Sequence, residues 1–104
     1  MREVSLTTRH EIKSAITGKT ISESIFGETV ENPLDFETMR KTSLLYLHNC
    51  IWDDVTELHL YITGLTPATT TFLKVFLDAG SPFKLVLYHY NRDTSSYVPQ
   101  VFFD

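Results

Sequence analysis

The stretch Leu58-His-Leu-Tyr-Ile-Thr-Gly-Leu-Thr-Pro-Ala68 limits the fold more than any other part of this chain, because it reads as a buried strand running through one glycine into a helix. Leu58, Leu60 and Ile62 alternate on one face, as a half-buried strand requires. Gly64 admits a tight turn, and Thr66 followed by Pro67 reads as an N-cap and first-turn pair. Backbone N–H groups at such an opening are unpaired and the helix dipole adds positive charge, so the junction favours phosphate or carboxylate. Taken alone it is equally the strand-to-helix turn that every α/β protein needs.

The other elements follow from the same kinds of signal. Val4 to Thr8 is a short apolar and β-branched run that predicts a first strand, releasing the chain at Thr7, Thr8, Arg9 and His10. Residues 14 to 31 stay open between a small hairpin and a helix fragment, with Gly18 and Gly27 as turns. Asn32-Pro33 reads as an N-cap and first helical residue, with Asp35 placed to favour the dipole. Phe36, Met39, Leu44, Leu47 and Ile51 then predict a helix with one apolar face. A strand from Glu57 to Thr63 leads into the glycine junction. Beyond it Ala68, Phe72, Val75, Phe76 and Ala79 keep a helical period, Gly80 caps the end and Pro82 prevents resumption. Phe83 to Tyr90 is a dense strand, residues 91 to 96 a turn, and Tyr97 to Phe103 a last strand. Pro99 cannot donate a ladder bond, so that strand lies at an edge or carries a bulge. The order spells an α/β sandwich in which right-handed crossovers make three strands parallel, with an antiparallel strand at one edge.

A chain of 104 residues, 42% hydrophobic, supports one compact core and is too short for two ordinary domains, so residues 1–104 are expected to form a single domain. The formal net charge of -4 argues against non-specific DNA or RNA binding, which uses a broad basic face. The start Met-Arg-Glu-Val-Ser-Leu does not resemble a signal peptide and no stretch is apolar enough to cross a bilayer, so the expectation is a cytoplasmic protein with no membrane partner. The lone Cys50, among Leu44, Leu47 and Ile51, reads as a small buried hydrophobe. Histidines at 10, 48, 59 and 89 lack paired ligand spacing, so neither a metal nor a cofactor is expected. Gly18-Lys19-Thr20 ends like a P-loop, yet position 13 holds Lys13 where that pattern needs glycine. No Gly-x-Ser-x-Gly elbow occurs, which leaves acid–base or positional chemistry.

In an open parallel sheet, ligands bind outside the carboxyl ends of the strands. The first strand delivers Thr7, Thr8, Arg9 and His10 there, the second Thr63, Gly64 and Thr66, and the third His89, Tyr90, Asn91 and Arg92. Arginines make bidentate contacts to phosphate, and hydroxyls, amides and rings read sugars and bases. Each residue also has an ordinary role open to it: Arg9 as a surface charge, His89 as a packing residue, and Asn91-Arg92-Asp93 as hairpin-turn chemistry.

Tyr61-Ile-Thr-Gly-Leu-Thr-Pro-Ala68, followed by a helix and then by Leu87-Tyr-His-Tyr-Asn-Arg-Asp-Thr-Ser-Ser-Tyr-Val-Pro-Gln100, resembles the small CRISPR-associated proteins with a CARF-like Rossmann core, some of which are ring nucleases. The resemblance spans the last half of the chain and the Thr-Arg-His end of the first strand; residues 14 to 31 fall outside it. It implies a small Rossmann-like three-layer sandwich and a homodimer that binds, and in some members cleaves, a cyclic oligoadenylate of type III CRISPR defence. Carried over by position, it puts Gly64, Leu65 and Thr66 on a ligand phosphate beside Thr8, Arg9 and His10, with His89, Asn91 and Arg92 completing the pocket. Metal-independent cleavage would place a ribose 2′-hydroxyl in line with the phosphate while His10 or His89 moves a proton. The other expectation is a non-catalytic regulatory or interaction module, whose aromatic tail Tyr97-Val-Pro-Gln-Val-Phe-Phe103 pairs with another chain.

Overall fold

Two parallel crossovers and one hairpin account for the whole sheet. The computed structural model describes residues 1–104, which run β1 (Arg2–Ser5), α1 (Phe36–Trp52), β2 (Glu57–Tyr61), α2 (Thr66–Asp78), β3 (Lys84–Asn91) and β4 (Ser96–Phe103). The strands lie in the order β1-β2-β3-β4. Val4 pairs with Leu60 and Leu60 with Leu87 in parallel register, while β4 returns antiparallel to β3 with a register shift at Leu85/Val86. The expected α/β class, with a mostly parallel sheet and an antiparallel C-terminal strand, is the one observed.

Both crossovers advance the sheet in the same direction, so a common handedness lays both helices on one face. Leu47 and Cys50 of α1 and Phe72, Val75 and Phe76 of α2 pack there with Val4, Leu58, Leu60, Leu85 and Leu87. The opposite face is also apolar, and Tyr61, Val86 and Tyr88 are covered by Ile12 and Ile21. That third layer is a small loop closed by an antiparallel bridge between Lys13 and Thr20, turning at Gly18 with φ of 73°. Neither alternative for residues 14 to 31 is realised in full: no helix forms there, and the one antiparallel bridge, from Lys13 to Thr20, closes a turn without a strand pair. Residues 23–26 then run beside the end of β1, with Ser5 bridging Ser24 in parallel.

Several boundaries differ from expectation for identifiable reasons. β1 stops at Ser5 rather than Thr8, because Thr8 N donates to Gly27 O at 3.0 Å and leaves the ladder. The N-cap of α1 is Asp35, whose carboxylate accepts from Thr38 N at 3.2 Å and Thr38 Oγ1 at 2.8 Å. Asn32 instead accepts from Leu34 N at 3.0 Å and makes a local turn upstream. The inner stripe of α1 is Met39, Ser43, Leu47 and Cys50, while Phe36 and Ile51 are 56% and 46% exposed. Small residues at 43 and 50 let the helix approach the sheet, and a search for large apolar side chains overlooks them. β2 leaves the ladder at Tyr61, and the residue before α2 is Leu65, so Thr66 is the first helical residue rather than the N-cap. Cys50 is free and buried, and Pro99 stands on an edge strand. No helix is long and apolar enough to cross a membrane.

Candidate functional site

The parallel strands end on the same side of the sheet, and both helices begin there. The two helix starts differ in charge. α1 is closed by the Asp35 cap and carries Glu37 in its first turn, whereas α2 has no side-chain cap and no acidic residue in its first turn. The positive end of the α2 dipole and its first amides therefore remain without a protein counterpart.

Beside that opening lies a cleft of about 200 Å³ whose walls come from Thr7, Arg9 and His10 after β1, from Thr63, Gly64 and Leu65 after β2, and from Thr29 and Val30. Arg9 and His10 are exposed, and no carboxylate lines the cleft. Gly64 has φ of +82°, a conformation that L side chains rarely adopt, and a Cβ there would meet nothing within 4 Å. Glycine is required by the turn rather than by crowding. The space above it is open, so a ligand can reach the backbone of the loop.

Thr63 supplies the least ordinary feature. Its Oγ1 is buried and has no hydrogen-bond partner in the protein. A buried hydroxyl left unpaired costs on the order of 1–3 kcal/mol, and native structures carry few of them. A cation, an imidazole, an uncapped helix start and an orphaned hydroxyl thus share one small cleft. Together they can bind an oxyanion, and His10 can exchange a proton with it.

Arg9, His10, Gly64 and Leu65 come together as the sequence suggested. Thr8 is exposed and does not line the cleft, and Thr66 is exposed in the first turn of α2. His89, Asn91 and Arg92 stand apart. His89 Nε2 meets Gln100 Oε1 across the β3–β4 ladder at 2.8 Å, the Asn91 side chain accepts from Asp93 N at 3.0 Å within the hairpin turn, and Arg92 is exposed in that turn. The reason is strand length. Tyr61, the last residue of β2, pairs with Tyr88, while β3 runs on to Asn91, carrying the hairpin roughly 10 Å past the end of β2.

Thr29 and Val30 were not among the expected site residues, since their segment carries no periodicity. No group of three or more His, Cys, Asp or Glu residues is arranged to hold a metal ion. No family model, curated protein or solved structure matches the chain.

Proposed function

We propose that this protein binds a phosphodiester anion in the cleft beyond β1 and β2, and that the ligand is a cyclic oligoadenylate. The observation that carries the first part is the convergence of Arg9, His10 and the unpartnered Thr63 hydroxyl on a cleft without carboxylates. The resemblance of Tyr61–Ala68 and Leu87–Gln100 to CARF-like CRISPR-associated proteins supports the second. At about 200 Å³ the cleft is smaller than the roughly 300–1,000 Å³ of drug-sized sites. It suits one phosphate and part of its nucleoside. A ring of several nucleotides overhangs it and calls for a second copy across a two-fold axis, so the working unit in this reading is a cytoplasmic homodimer.

Cleavage, where it occurs, uses the ligand's own 2′-hydroxyl. Its oxygen attacks the adjacent phosphorus as its proton is taken up, the bond to the 5′-oxygen breaks, and that oxygen receives a proton. Arg9 neutralises the developing charge, while His10 is the group at hand to move one of the protons. His89 belongs to the hairpin and takes part only if the ring reaches it.

A second reading, a non-catalytic interaction module, is favoured by β4. Val98, Val101 and Phe103 are 47%, 54% and 40% exposed on this one strand. Thermal melts against a panel of cyclic di-, tri-, tetra- and hexanucleotides separate the two. A ligand that binds only the native state raises Tm by mass action, and the rise should vanish in Arg9→Ala. No rise with any ring well above micromolar concentration selects the interaction module.

A further inference from the structure

The sheet face away from the helices holds a line of four tyrosines that the cleft does not use. Tyr90, 52% exposed, meets Tyr97 edge-on with ring centroids 5.2 Å apart. Tyr97 meets Tyr61 at 5.1 Å, and Tyr61 stacks on Tyr88 at 4.4 Å with planes 7° apart. These are the offset and edge-to-face contacts that aromatic pairs prefer. The line runs from solvent to a ring that is only 5% exposed.

The two inner phenols differ from the two outer ones in what receives their hydrogens. Tyr61 OH donates to Glu3 Oε2 at 2.9 Å. Tyr88 OH lies 2.9 Å from Nδ1 of His59, whose Nε2 is 2.5 Å from Glu57 Oε2. A carboxylate only accepts, so Nε2 is the donor to Glu57, and in the neutral form of the imidazole this leaves Nδ1 to accept from Tyr88. A phenol that loses an electron becomes a strong acid, so a base already in place eases its oxidation; both inner phenols have one, and an imidazole, ordinarily a stronger base than a carboxylate, favours Tyr88 over Tyr61. Tyr88 is the buried end of the line.

We propose that the four tyrosines are an inward conduit for oxidising equivalents. A small one-electron oxidant such as the carbonate radical anion meets Tyr90, and the electron finally lost is that of Tyr88. The oxidant gains one electron and becomes carbonate; the Tyr88 O–H bond breaks and its proton forms an N–H bond on Nδ1 of His59. Tyr90, Tyr97 and Tyr61 each give up one electron and receive one, and end as phenols. The radical then sits where no second molecule can couple to it, which spares Tyr90 from surface cross-linking.

Phenylalanine replacements test this, since they keep the ring and remove the oxidisable phenol. The background is Trp52→Phe, because Trp52 is 87% exposed and competes for the oxidant. After a pulse of carbonate radical, the full chain should show a long-lived phenoxyl absorption and little dityrosine fluorescence. Tyr97→Phe should interrupt the line, shortening the phenoxyl lifetime and raising dityrosine several-fold, and Tyr88→Phe should shorten the lifetime with Tyr90 intact. Adding Tyr90→Phe to Tyr97→Phe should abolish the extra dityrosine, which assigns the cross-link. Unchanged lifetime and dityrosine yield in both Tyr97→Phe and Tyr88→Phe overturn the proposal.

Discussion

The Ile62 amide donates to the Tyr88 carbonyl at 2.9 Å, one residue past the last paired position of β2. This bond holds the end of β2 against β3 while the chain turns away at Gly64, and it fixes the level at which Thr63 leaves the sheet. It also orients β3. With its carbonyl directed toward β2, Tyr88 cannot bond to Pro99 opposite it on β4, so the proline nitrogen faces the free edge.

Thr63→Val should stabilise the free protein and weaken the liganded one. The valine keeps the shape and removes a buried hydroxyl that has no partner, a gain on the order of 1 kcal/mol. Ser43, fully buried on the inner face of α1 with an equally unpartnered hydroxyl, is the control. Ser43→Ala should bring a similar gain with ligand affinity unchanged. Chemical denaturation and calorimetric titration of each variant check both halves.

Arg9→Ala should lower affinity for a phosphate-bearing ligand about 10- to 100-fold, the scale of a lost charge-assisted hydrogen bond of roughly 1.5–3 kcal/mol. Arg92→Ala should leave the affinity for a mononucleotide unchanged, since Arg92 does not line the cleft. Titration calorimetry with adenosine monophosphate at low salt separates the two arginines. Equal losses would place both at one site.

Stability should fall at alkaline pH. Burial is the main reason that Tyr61 is pushed up to about 12 from its ordinary 10.0, and burial likewise raises Tyr46, Tyr88 and Tyr97. A phenol raised on folding contributes stability that is full below its ordinary value and lost as pH climbs through the folded one. The window is therefore pH 10 to about 12 for Tyr61. The acid side works in the opposite sense. The hydrogen bond from His59 holds Glu57 below its ordinary 4.5, so its contribution is present above that value and fades as pH falls further. Urea midpoints across both ranges, with phenolate absorbance on the alkaline side, test the signs.

Pro99→Val should promote self-association. Proline removes an N–H from the middle of an eight-residue edge strand, a device that blunts edge-to-edge pairing. Restoring that donor, beside exposed Val98 and Val101, completes a template for another strand. Sedimentation velocity over a concentration series should show higher-order species in the variant that the parent lacks; identical profiles would mean that the proline does not guard the edge.

The sheet was legible because its signals are local and strong. Alternation in Leu58–Ile62, a glycine before Thr66-Pro67, and Pro99 in the last strand each point to one element. The site was legible only where the chain leaves β1 and β2. Sequence spacing put Arg92 beside Arg9 because all three strands end on one side, yet it does not reveal that β3 outruns β2. Asn32 and Asp35 both look like caps, and only the geometry of Thr38 chooses between them. Thr29 and Val30 reach the cleft from a segment held by backbone bonds such as Thr8 N to Gly27 O, which leave no mark in side-chain pattern.

The central claim is that the cleft beyond β1 and β2 holds a phosphodiester anion, and backbone amide NMR during titration with cyclic tetra-adenylate tests it most directly. Saturable shifts at Arg9, His10, Thr63, Gly64 and Leu65, lost in Arg9→Ala, are the expected result. Shifts confined to β4 and the hairpin, or no shift at saturating ligand, would contradict it.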